Sequence, residues 1–148
     1  MDRHRLIKLL ENFKKGGLSS AEVLKKLAYL PYEDMGFAKV DTHRAVRKEF
    51  PEVVFCQNKT PGQTAKIISS ILRHSDFCLA TRADSKTYAA VKKRFRGAKY
   101  SKIAGIITVS KYGNKLKPIR EGILVITAGT SDIPVAEEAA LTAEAMGN

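Results

Sequence analysis

The spacing of apolar residues divides the chain into helical and extended stretches. Leu6, Ile7, Leu10 and Phe13 recur at intervals of three and four, which puts them on one side of a helix that Gly16-Gly17 ends. Ser19 and Glu22 spell a capping box, and Val23, Leu24, Leu27 and Leu30 then mark one side of a second helix closed by Pro31. Together they predict an α-hairpin suited to packing or oligomer contact. Beyond it the period changes. Residues 37–40 alternate as a strand does, Asp41 or Thr42 can cap a short helix that Phe50-Pro51 breaks, and 52–56 reads as a second strand. Thr60-Pro61-Gly62-Gln63 is another capping box, ahead of a helix carrying Ile67, Ile68, Ile71 and Leu72. A third strand is expected over 76–81, a helix capped by Asp84 with Tyr88, Val91 and Phe95, and a fourth strand over 103–109. Strands alternating with helices predict a small α/β domain.

Residues 122–148 have a pattern of their own. An apolar, β-branched run at 123–126 reads as a buried parallel strand. Small and polar residues follow at 128–132, and Pro134 then opens an alanine-rich helix, because the first helical turn has no use for the N–H that proline lacks. Strand, small-residue loop and helix N-terminus together let backbone amides and hydroxyls close on an anion.

Charge sharpens the division. Residues 1–120 hold all 26 Lys and Arg and 10 of the 15 acids, a net of +16, whereas 121–148 hold five acids and no base. The step falls near residues 115–120, which include Pro118, and predicts two units: a basic α/β domain over 1–118 and a strand-loop-helix over 119–148. No apolar run reaches the roughly 18 residues of a membrane span, and the charged N-terminus lacks a leader's cleavage pattern, so the expected location is cytoplasmic. Cys56 and Cys78 stand alone in apolar runs, without metal-ligand spacing, and read as buried free thiols; no metal site is expected. Lys59 and Arg82 each follow an expected strand, where α/β folds place ligand loops. Asp41, His43 and Arg44 form another candidate cluster for phosphate or carboxylate. The run from Lys86 to Lys102 mixes cations with Tyr88, Phe95 and Tyr100 and raises a nucleic-acid reading, against which Val91 and Phe95 share a core-facing spacing.

Two segments carry a family resemblance. AGTSDIPVAEEAA (128–140) resembles the opening of the PurE-like domain of LarB, the enzyme that begins synthesis of the nickel-pincer nucleotide. More distantly it resembles PurE, the aminoimidazole ribonucleotide carboxylase, whose loop reads GSxSD. Ser131, Asp132 and Pro134 match that loop, while Gly129 stands where PurE has its first serine. Upstream, GFAKVDTHRAVRKEFPEVVFCQNKTPGQ (36–63) and LATRA (79–83) resemble the amino-terminal region that LarB has and PurE lacks.

The resemblance implies a flavodoxin-like, parallel-sheet domain of which only the first βα unit is present, so that the family's reactive cysteine lies outside this sequence. It implies carboxylation of the pyridinium ring of nicotinic acid adenine dinucleotide by carbon dioxide or bicarbonate, with release of AMP. It adds no bound cofactor and admits Mg²⁺. Gly129, Thr130, Ser131 and Asp132 would hold phosphate or ribose, with Asp132 better suited to a ribose hydroxyl or the helix cap. Asp41, His43, Arg44, Lys59 and Arg82 would be further substrate contacts. The complete protein is expected to be a homo-oligomer, and this chain alone to be inactive. A PurE-type carboxylase and a basic nucleic-acid module are the alternatives.

Overall fold

The computed structural model describes residues 3–27, 32–41, 52–111 and 122–148, and among these it contains five helices and a mixed sheet. The expected helix after Asp41, with His43 and Arg44, and the domain boundary near Pro118 lie outside the described residues.

Helices α1 (Arg3–Lys14) and α2 (Ser20–Leu27) form the expected hairpin. The Ser19 hydroxyl accepts from the Glu22 amide at 3.3 Å while the Glu22 carboxylate takes the Ser19 amide at 2.8 Å, so the capping box closes as its spelling requires. The hairpin buries Leu9 and Val23 but leaves Ile7, Leu10, Phe13 and Leu24 exposed.

Strands β1 (Tyr32–Asp34) and β2 (Lys39–Asp41) make an antiparallel hairpin. The expected strand at 37–40 is therefore shifted and gains an unforeseen partner. The physical reason is a turn: Gly36 at φ +79° donates to the Asp34 side chain at 2.8 Å, which brings the chain back before Lys39. Glu33 of β1 is bound by Ser70 and Arg73, and these contacts fasten the hairpin to the next helix.

The main sheet has the order β3 (Val54–Phe55), β4 (Phe77–Thr81), β6 (Ile106–Ser110), β5 (Lys99–Ser101). Only β3 and β4 are parallel; β6 runs against both of its neighbours. Two expectations are corrected here. The fourth strand begins at Ile106, because residues 102–105 form a turn, and the basic run ends in strand β5, which pairs with β6 as a hairpin.

Helices α3 (Pro61–His74) and α4 (Ser85–Arg94) cover one face of the sheet. Strand alternation assigns Cys78, Ala80, Ile107 and Val109 to that face, where they meet Ile68, Ile71, Leu72 and Val91. Phe77, Leu79 and Ile106 point the other way and meet Leu141 and Ala145 of helix α5 (Ile133–Ala145). Strand β4 is thereby buried on both sides. A cleft of about 530 Å³ remains where Lys99, Ser101 and Thr108 put polar side chains opposite the end of α5.

The expected strand at 123–126 does not form. Residues 122–127 pair with no strand, and Leu124 and Ile126 are 80% and 81% exposed. A β-branched run becomes a strand only against a hydrogen-bonding neighbour, and none of the described strands lies beside it.

Candidate functional site

Because β3 and β4 are parallel, the chain leaves both at the same edge of the sheet, with Phe55 beside Thr81 and the Cys56 amide donating to Thr81 O at 2.9 Å. Each exit loop contains one non-glycine residue in the left-handed region, Asn58 at φ +64° and Arg82 at φ +54°; among the described residues they are the only two. Asparagine visits that region readily, whereas arginine does so at a cost of about 1–2 kcal/mol, so its turn must be held from outside.

Two hydrogen bonds hold it. The Ala83 amide donates to Gly105 O at 2.7 Å, and the Tyr100 hydroxyl donates to Ala83 O at 3.1 Å. Gly105 is itself at φ +62°, and a Cβ there would sit 3.3 Å from Ala83 O. Tyr100 is fixed in turn by stacking on Tyr88, with ring centroids 5.0 Å apart. Asp84 then caps α4 by accepting from the Thr87 amide at 2.7 Å, and hydrogen bonds from the Thr87 hydroxyl first and that amide second hold its carboxyl below the usual range. Arg82 emerges from this braced turn with its Nη2 3.3 Å from Oε2 of Glu138 on α5.

Lys59 belongs to the same edge but turns inward. It is half-buried, and its Nζ donates to Phe55 O at 2.7 Å. The adjoining start of α3 is closed, because Thr60 and Gln63 consume two of its free amides in a reciprocal capping box.

Helix α5 brings the loop at 128–132 to this side of the molecule. Glu138 meets Arg82 at the end of β4, while Ala145 packs with Phe77 at its beginning, so α5 runs against β4 and starts beyond the strand ends. The starts of α3 and α4 follow the two strand exits on this side, each closed by its own side-chain cap. Residues Thr130–Asp132 form a turn of 3₁₀ helix, with the Asp132 amide donating to Gly129 O at 3.1 Å. Asp132 occupies the N-cap position of α5, but its side chain makes no capping bond, contrary to the helix-cap expectation. Its helical φ and ψ of −90° and −10° turn the carboxylate back over Gly129, where a Cβ would stand 3.2 Å from Oδ2. A serine there, as in the PurE loop, would require that exposed carboxylate to give way by a few tenths of an ångström. Without a side-chain cap, α5 is closed from the backbone instead: the Ile133 amide donates to Thr130 O, and Pro134 has no N–H.

The structure therefore gathers Lys59, Arg82 and the loop from Gly129 to Asp132 on one side of the sheet. Asp41 stands apart: its amide donates to Glu52 at 2.6 Å, beside the beginning of β3 rather than its end. The roles of Tyr100, Gly105 and Glu138 in bracing or meeting Arg82 had no signal in the sequence, since each acts through a residue far away in the chain.

Both cysteines are buried. Burial pushes the Cys56 thiol up to about 11, against smaller lowering by the Thr64 hydroxyl and Lys59, and it raises Cys78 further. A thiol so displaced is not a nucleophile at neutral pH. Among the described residues no group of three or more His, Cys, Asp or Glu side chains is placed to hold a metal ion, and no helix is long and apolar enough to cross a membrane.

Residues 32–111 match the LarB/PurE-like N-terminal domain, a segment that runs from β1 to the residue after β6. An uncharacterised protein of Methanocaldococcus jannaschii is 32% identical over 145 residues, which cover 94% of this chain and 56% of the relative. The chain thus spans little more than half of that relative's length. With the family domain accounting for the hairpin, the mixed sheet and both strand-end loops, the chain belongs to the LarB/PurE-like family.

Proposed function

We propose that this chain is the amino-terminal part of a LarB-type carboxylase, which binds nicotinic acid adenine dinucleotide for carboxylation of its pyridinium ring by carbon dioxide or bicarbonate and for release of AMP. The observation that carries the reading is the sheet edge in a LarB/PurE-like domain where Arg82 and Lys59 leave the parallel strands and Glu138 of α5 meets Arg82. Such an edge attracts a ligand bearing phosphates and a carboxylate. In this reading Arg82 binds an anionic group, Gly129, Thr130 and Ser131 hold phosphate through amides and hydroxyls, and Asp132 accepts from a ribose hydroxyl. His43 and Arg44 remain candidates beside Asp41. With Cys56 and Cys78 buried and protonated, this chain supplies binding and orientation, not the nucleophile.

The test is incubation of the dinucleotide with labelled bicarbonate. Binding by calorimetry without label incorporation is expected for this chain alone; preferential binding of aminoimidazole ribonucleotide would move the reading to PurE-type chemistry. A nucleic-acid role draws less support, because Tyr100 and Tyr88 are stacked on each other and Phe95 packs on the core. Base-stacking platforms need open aromatic faces.

A further inference from the structure

Arg82 has more structure around it than an exposed cation requires. Its turn is strained and braced by Gly105 and Tyr100, at the end of a parallel strand. Yet its guanidinium already holds a carboxylate, that of Glu138, delivered by a helix otherwise seated on the sheet through Leu141 and Ala145. A carboxylate and a phosphate make the same demand on an arginine fork: two oxygens in a plane, about 2.7–2.9 Å away when the contact is tight. The single contact at 3.3 Å leaves that demand partly met.

We infer that Glu138 is a built-in placeholder for a phosphate group on Arg82, so that phosphate binding and docking of the first half of α5 compete. The choice of phosphate as the anion rests on the proposed dinucleotide reading; the competition itself rests on the geometry. An incoming phosphate takes the guanidinium and repels Glu138, leaving α5 attached through Leu141 and Ala145 near its end. Arg82 is more than half exposed, so the existing pair is weak, and its loss shifts an equilibrium by no more than about fivefold. A weak placeholder is what competition requires, since a strong one would close the site.

The experiment is calorimetric titration of the full chain with inorganic pyrophosphate and, separately, with AMP, followed by hydrogen exchange on α5. Glu138→Gln should bind both about two- to fivefold more tightly than the unaltered chain. Arg82→Asn, which suits the left-handed turn, should bind at least about tenfold more weakly, and Arg82→Lys should fall between because it keeps the charge without the fork. Amides of residues 135–139 should exchange faster when pyrophosphate is added to the unaltered chain, and not in Arg82→Asn. Unchanged affinity in Glu138→Gln, or pyrophosphate binding indifferent to Arg82→Asn, would overturn the inference, as would slower exchange in α5. If the dinucleotide fails to bind while pyrophosphate behaves as described, the placeholder stands and the substrate reading falls. If the dinucleotide binds independently of both residues, the placeholder alone falls.

Discussion

The two faces of strand β4 are covered in different ways. Among the described residues, Cys78 and Ala80 join a cluster of 15 buried residues beneath α3 and α4, whereas Phe77 and Leu79 join one of five beneath α5. The first face is covered by helices whose apolar residues are large and spaced to meet it. The second meets an alanine-rich helix that leaves Ile133 and Val135 exposed and is joined to the apolar, unpaired residues 123–126. One face is a finished core, and the other is a contact that a ligand or partner can afford to disturb. The two sides of the same strand thus differ in how much of the core rests on them.

The largest expected effect tests that division directly. Ile68→Ala, at a fully buried position under α3, should cost about 2–5 kcal/mol in urea unfolding. Leu141→Ala on the half-buried side should cost less than about 1.5 kcal/mol, and equal losses would erase the distinction between the faces. Gly105→Ala comes next, at about 1–2 kcal/mol, because the new Cβ meets Ala83 O at 3.3 Å from a left-handed backbone. It should also weaken pyrophosphate binding through Arg82, which a purely structural role would leave untouched.

Thr60→Ala should cost about 1 kcal/mol by opening the capping box of α3. Hydrogen exchange confined to the first turn of α3 would locate the loss there. A smaller, pH-dependent effect concerns Glu33. Burial alone would raise its carboxyl, but hydrogen bonds from Ser70 and Arg73, with the Arg73 and His74 charges, bring it below 4.5. Its folded value is therefore depressed, so its contribution is full above pH 4.5 and is lost as pH falls through the lower folded value. Stability measured downward from pH 4.5 should fall less steeply in Glu33→Gln than in the unaltered chain. Least of all, Leu124→Asn should change stability by no more than about 0.5 kcal/mol, since that side chain is 80% exposed.

What the sequence disclosed follows the same division. Capping boxes at Ser19 and Thr60 and the cap at Asp84 were legible because their chemistry is local, within three residues. The strand at 76–81 was legible to within a residue at its start because β4 is apolar and buried from Phe77 to Ala80. Strands β1 and β5 were not, since Tyr32-Glu33-Asp34 and Lys99-Tyr100-Ser101 have too few apolar residues to show a period and owe their form to hairpin partners. Lys59 and Arg82 could be picked out by their place after strands, and the structure puts them at one sheet edge. The Arg82–Glu138 pair and the Tyr100–Ala83 bond join residues distant in sequence, and no local pattern records them. The run at 123–126 misled for the converse reason: its propensity is strong, but pairing decides.

That run also has a consequence for the chain in solution. Residues 122–127, Gly-Ile-Leu-Val-Ile-Thr, contain no charge and no proline, and most of their side-chain surface faces water. Short uncharged segments of this kind stack readily with identical copies into fibrillar assemblies. A charge placed within the run, as in Leu124→Lys, would act as a gatekeeper that raises the solubility of the chain.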